Sequence, residues 1–148
     1  MRFLIIRKAD DETEAGAMPT EELVTDMMAY TEAMTKAGVM LSGDGLQPSA
    51  KGVRVSFTGG KPTVTDGPFA ETKELIAGFT MIDVKSKEAA IEWLKRWPPI
   101  DGHGRVQLEL RQLYEADDFG EEFAPAIRQQ EARLRARDEA SVTTSRLN

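Results

Sequence analysis

Apolar and polar residues recur along the chain with two periods, and the switches between them lay out the elements. Arg2 to Arg7 is a short apolar run rich in β-forming residues, which predicts a central strand buried on both faces. Asp10 to Thr20 is polar, contains Gly16 and Pro19, and reads as a loop. Thr20 then has the chemistry of a helix N-cap, with Glu21 and Glu22 in the first turn. Leu23, Met27, Met28, Tyr30, Met34 and Ala37 give that helix its apolar face, and Gly38 ends it. Val39-Met40-Leu41 opens a second strand that runs to Pro48, with Gly43 and Gly45 inside it. Glycines there mark a bulge or the close approach of another backbone or a ligand.

Gly52 to Thr58 alternates strictly, with Val53, Val55 and Phe57 on one side. Gly59-Gly60 is a hairpin turn, and Pro62 to Thr65 is the returning strand. Leu75 to Val84 is a further strand. Ser86 caps a second helix, carrying Ala90, Ile91, Trp93, Leu94 and Trp97, which Pro98-Pro99 stops. A turn at Asp101 to Gly104 leads to the last strand, with Val106, Leu108, Leu110 and Leu113 on one face. The order is β-α-β, a β-hairpin, β, α, β. Without the hairpin this is the split βαβ, ferredoxin-like arrangement, an α+β fold with two helices on one face of an antiparallel sheet. Two helices leave the other face bare, and a second subunit laid face to face is the simplest cover, so a homodimer is expected. The α+β domain is expected over residues 1–115. Residues 116–148 read as a C-terminal helical extension, with Phe119, Phe123, Ile127 and Leu134 at roughly helical spacing. Disorder is expected after Arg137. The apolar stripe of the extension suits the homodimer first, or another protein.

Composition narrows the function classes. The 148 residues are 41% hydrophobic and 30% charged, an ordinary soluble balance. The longest apolar run, Phe3 to Ile6, is far below the ~20 residues of a membrane span. No secretory pattern opens the chain, so a cytoplasmic protein is expected. There is no Cys, which removes disulfides, thiolate metal sites and Cys nucleophiles. One His makes a zinc site improbable on ligand chemistry, and neither a metal nor an organic cofactor is expected. A net charge of −6 argues against direct nucleic-acid binding, which needs clustered Lys and Arg.

Three places carry candidate chemistry. Asp66-Gly67-Pro68-Phe69, followed by Lys73, is either a tight turn with Phe69 as a plug or a site. As a site, Asp66 stands at a strand end beside a pocket, Phe69 is its wall and Lys73 holds the carboxylate ionised. Gly43-Asp44-Gly45 is either a bulge or a second carboxylate facing Asp66 across a cleft, with acid and base roles divided between the two. His103, in its Gly-flanked turn, is the remaining ligand-binding candidate. No phosphate-cradling glycine motif is present. Trp93, Trp97 and the methionines of the first long helix have core spacing.

The run Thr65 to Glu74 resembles the signature of the DGPF branch of the YCII-related family. Its surroundings agree: Met1 to Leu4, Ala37-Gly38-Val39, Ser42 to Pro48, Leu75 to Phe79, and the closing strand Val106 to Arg111. The resemblance covers about residues 1–115. It implies a dimeric α+β barrel built from two ferredoxin-like subunits, with Asp66 as the leading site residue beside a cleft. It also implies one of two functions. One is a small-molecule enzyme, lyase-like or moving a proton on a small cyclic substrate, with Asp66 as base, Asp44 and Lys73 tuning it, and Gly67, Pro68, Phe69, Gly43 and His103 contacting ligand. The other is a non-catalytic ligand-binding or regulatory module linked to sigma-factor-dependent transcription through a protein partner. Enzymatic branches of the wider family pair an Asp with a His on the first long helix. Thr20 to Ala37 contains no His, so only Asp66 carries over.

Overall fold

A computed structural model of the chain describes residues 1–145, with side chains through residue 140. Strand β1 (Arg2–Lys8) lies between β5 (Ile76–Asp83) and β6 (Leu108–Gln112), and β2 (Met40–Gly45) joins the far edge of β5. The order β2-β5-β1-β6, with every pair antiparallel, is the split βαβ sheet expected from the element order. Helices α2 (Glu21–Lys36) and α3 (Lys87–Leu94) supply Tyr30, Met34 and Ala90 to one core with Phe3, Ile5 and Ile82 of the sheet. Phe3 and Ile5 are essentially solvent-free, and burying each contributes about 1.5–3 kcal/mol. Tyr30 sets its ring edge-on to Trp93 and Trp97 and donates its hydroxyl proton to the Trp93 carbonyl at 2.9 Å.

β1 is central, but only one of its faces is buried. Phe3, Ile5 and Arg7 are buried under the helices, while Leu4 and Ile6 on the opposite face are half-buried. The expected burial of both faces therefore gives way to the alternation of a sheet covered on one side. The caps follow the sequence. Thr20 Oγ1 accepts from the Leu23 N–H, and Ser86 Oγ accepts from the Ala89 N–H. Part of the expected loop at Asp10 to Thr20 is instead a one-turn helix α1 (Asp11–Glu14). Asp10 and Thr13 close a reciprocal capping box around it, a signal hidden by the polar surroundings.

Between β2 and β5 the chain forms a separate two-stranded hairpin, β3 (Val53–Thr58) and β4 (Lys61–Asp66), turned by Gly59 and Gly60 at φ 57° and 78°. Its base is the Asp66 to Phe69 turn. The Gly67 N–H donates to the Gly52 carbonyl at 2.9 Å, and a Cβ at residue 67 would stand 1.7 Å from the Ser49 carbonyl oxygen. Only glycine fits there. The Ser49 hydroxyl accepts from the Phe69 N–H at 3.0 Å and itself donates to Glu14, so the turn is tied to α1 through one side chain. Arg54 lies over the Phe69 ring at 3.9 Å.

A second unit begins at Tyr114, after a first that spans Met1–Leu113. It contains a 3-10 turn at Ala116–Phe119 and helix α4 (Ala124–Ser145), which admits Pro125 in its first turn. Phe119, Phe123 and Leu134 are exposed. Helix α4 runs on past Arg137, where disorder is expected, as far as Ser145. After Pro125 the sequence offers Ala, Arg, Glu and Leu with no Gly or Pro to stop it. The last part of that expectation, residues 146–148, lies outside the described residues.

Gly67→Ala is expected to lower stability by about 1–3 kcal/mol through overpacking against rigid backbone. Gly45→Ala, whose added Cβ meets only the Ala77 carbonyl at 4.0 Å, is expected to leave stability nearly unchanged. Urea denaturation of the two variants decides it, and equal midpoints would remove the steric account of the turn.

Candidate functional site

Missing side chains open the cleft. Gly43, Gly45 and Gly78 occupy the helix-facing register of β2 and β5, at the end of the sheet where Gly78 pairs with Arg7 of β1. With no side chains there to fill the space on the helix side, a broad cleft of about 1220 Å³ remains. Leu23, Met27, Met40 and Trp97 give it apolar walls, and its buried lining includes Arg7, Thr80 and Asp101.

Arg7 is the charged member of the buried register that begins with Phe3 and Ile5. Its Nη2 lies 2.6 Å from Asp101 Oδ1 and 3.0 Å from Asp10 Oδ2. Its Nε donates to Asp101 Oδ2 at 3.2 Å, and Nη1 donates to the Lys8 carbonyl at 2.8 Å. The Trp97 indole N–H donates to Asp101 Oδ2 at 2.9 Å. Burial pushes the Arg7 pKa down, but the hydrogen bond and charge of Asp101, with those of Asp10, outweigh it and hold the guanidinium above its ordinary value. Burial likewise pushes the Asp10 carboxyl up, and the Thr13 N–H together with Arg7 pulls it below its ordinary value.

The rim carries exposed groups. His103 Nε2 lies 2.9 Å from Glu12 Oε1. His103 has φ 55° between Gly102 at 59° and Gly104 at 80°. A non-glycine residue in that region costs about 1–3 kcal/mol, whereas an exposed polar pair of this kind returns about 0–1 kcal/mol. The pair therefore does not repay its own backbone.

The residues singled out from sequence divide into two groups. Gly43, Asp44 and His103 line the cleft. Asp66, Gly67, Pro68, Phe69 and Lys73 lie outside its lining, at the base of the hairpin and just after it, with Asp66 and Lys73 exposed. The turn reaches the cleft wall through Ser49, which bonds both Phe69 and the cleft-lining Glu14. Sequence reasoning missed Arg7, Asp10, Glu12 and Asp101. One signal was available: Arg7 continues the buried phase of Phe3 and Ile5, and a buried guanidinium demands acids. Among the described residues no group of three or more His, Cys, Asp or Glu side chains is arranged to hold a metal.

An antiparallel sheet in the order β2-β5-β1-β6, two helices on one face and a cleft at its glycine-rich end define the class, and the sequence match makes it specific. The chain belongs to the YCII-related family, whose domain model matches residues 1–108. It is similar to an uncharacterised protein of Rhizobium meliloti (strain 1021), 32% identical over 89 residues that make up 58% of this chain and 72% of that protein. Among solved structures it is similar to 5-chloro-2-hydroxyhydroquinone dehydrochlorinase (TftG) from Burkholderia phenoliruptrix AC1100, in complex with 2,5-dihydroxybenzoquinone. The identity is 15%, the match covers 78% of this chain and 95% of that one, and the TM-score is 0.45.

Arg7→Met is expected to cost about 3–5 kcal/mol in urea denaturation, because it strands Asp101 in the interior. Arg7→Lys restores only part, since a compact ammonium cannot hold both carboxylates in the same fork. The depressed Asp10 pKa has its own signature. Its contribution to stability is complete above pH 3.8 and is lost as the pH falls through the lower folded value. Asp10→Asn is expected to flatten the acid limb of a stability–pH curve below that point, and an unchanged limb would count against the ion pair.

Proposed function

We propose that this protein takes a small cyclic molecule, neutral or cationic, into the cleft and acts on it by proton transfer with a carboxylate as base. The observation that carries this reading is the charge of the cleft over its apolar walls. Asp10, Glu12, Glu14, Glu22, Asp44 and Asp101 line it, against Arg7 and Lys51, and Arg7 is already engaged by Asp10 and Asp101. An acidic, apolar-walled cleft repels anions and receives donors of hydrogen bonds. Two carboxylates compete for the role of base. Asp44 borders the cleft on the edge strand β2, with its side chain in the register of Phe79 on the other face, and Asp66, the residue that the signature singles out, stands at the hairpin base outside the lining, so a base role for either needs a ligand that reaches beyond the helix side. A homodimer fits the same reading, because Leu4, Ile6, Phe79 and Met81 form a half-buried apolar stripe on the sheet face away from the helices.

A second reading, a non-catalytic ligand-binding or regulatory module, is favoured by one observation. The buried charges of the cleft are consumed by each other, and the exposed Phe119, Phe123 and Leu134 offer a protein contact, which the family resemblance would assign to the transcription machinery.

The test is a thermal-shift screen against neutral, cationic and anionic cyclic metabolites, with sedimentation to read the oligomeric state. A ligand at ~100 times its dissociation constant adds about 2.7 kcal/mol of stability. Stabilisation is expected from neutral or cationic compounds and is expected to vanish in Gly45→Leu, which fills the cleft from a position with room for a side chain. Loss of turnover with binding retained, in Asp44→Asn or in Asp66→Asn, identifies the base. Binding without turnover in the wild type selects the module, and hits confined to anions reject the cleft reading.

A further inference from the structure

The one imidazole of the sequence stands against a carboxylate 91 positions away. His103 and Glu12 both line the cleft, with side chains 74% and 65% exposed, so their mutual attraction is too weak to bring them together. A buried group does so instead. Asp10 lies two residues before Glu12, and Asp101 two residues before His103. One atom, Arg7 Nη2, holds both at 3.0 and 2.6 Å. Gly102 rests on this junction, its Cβ position 3.6 Å from both Arg7 Nη2 and Asp10 Oδ2. The left-handed run then presents His103 at the rim. The glycines adopt that backbone freely and His103 does so under strain.

We infer that His103 and Glu12 form an acid–base dyad at the mouth of the cleft, acting on the molecule bound there. The inference rests on the cleft reading for the bound molecule and puts an imidazole, in place of a carboxylate, as the group that takes the proton. With Nε2–H donated to Glu12, the other ring nitrogen, Nδ1, keeps its lone pair. An O–H, N–H or activated C–H bond of the ligand breaks, an Nδ1–H bond forms, and the electron pair stays on the ligand. The Glu12 carboxylate stabilises the imidazolium so formed. Return of the proton to product or water restores the neutral ring. His103 touches the ligand. Glu12 is a positioning residue, and Arg7 fixes the distance between the two.

A single His makes the test clean. In the full chain labelled with nitrogen-15 histidine, the neutral ring is expected to hold its proton on Nε2, read as a protonated-type shift at Nε2 and an unprotonated-type shift at Nδ1. That preference is expected to persist in Glu92→Ala and to weaken in Glu12→Ala. p-Nitrophenyl acetate probes the free nitrogen. Nδ1 attacks the ester carbonyl, p-nitrophenolate leaves with the bonding pair, and water cleaves the acyl-imidazole to acetate and the free ring. Release is expected to fall by an order of magnitude or more in His103→Asn, a replacement that accepts left-handed backbone, and to fall part of the way in Glu12→Ala. A wild-type ring without that preference, or a release rate that His103→Asn leaves unchanged, overturns the dyad. Failure of the cleft reading is visible separately, as a ligand panel that Gly45→Leu does not alter while the ring signals stand.

Discussion

A guanidinium on the buried face of a strand cannot lose its proton, so the chain around Arg7 must be arranged to neutralise it. Arg7 shares its register with Phe3 and Ile5, and it is 9% exposed. Nε and Nη2 engage Asp101, Nη2 also engages Asp10, and Nη1 reaches the Lys8 carbonyl. Asp101 completes its set with the Trp97 indole. Among the described residues no buried side-chain nitrogen or oxygen lacks a hydrogen-bond partner. A closed network of this kind has one satisfactory geometry. It therefore fixes two loops, at Asp10 and at Asp101, against the end of β1, and those loops carry Glu12 and His103.

The cleft depends on a different constraint. Gly43 and Gly78 have architectural reasons to be glycine, because a Cβ would stand 3.0 Å from the Phe79 carbonyl oxygen and 3.1 Å from the Asp44 carbonyl oxygen. Gly45 has none of comparable weight, since its nearest neighbour is 4.0 Å away. Two of the three glycines thus let β2 and β5 approach, and the third keeps space open that the strands do not need. Edge-strand packing and cleft volume are separable at this one position.

The elements were legible in the sequence because their signals are local. Thr20 and Ser86 as caps, Gly59-Gly60 as the hairpin turn and the split βαβ order all follow from residues within a few positions of one another, whereas the second strand, expected to run to Pro48, stops at Gly45. The α1 turn escaped because a capping box inside a polar stretch has no apolar face to announce it. The cleft's polar framework escaped for a stronger reason. Arg7 meets Asp101 across 94 positions and His103 meets Glu12 across 91, and no local period encodes such pairs. Gly43, Asp44 and His103 were legible as candidates, but their company was not.

The turn at Asp66 to Phe69 separates two things that a sequence signature merges. Gly67 is required by the Ser49 carbonyl beside it, and the Phe69 N–H by the Ser49 hydroxyl, so a large part of the signature is accounted for by joining a hairpin to the sheet domain. A hairpin of two strands is marginal alone, and these two strands are exposed along their whole length, which makes the base the place where it is held. Ser49 then passes the constraint to Glu14 on the cleft wall, one residue beyond the Asp10–Thr13 box that Arg7 anchors. A motif tied in this way shapes a site from behind its wall. Its specificity follows from the backbone it must fit, and the side chains at the rim of the cleft, Glu12 and His103, belong to the two loops that Arg7 anchors.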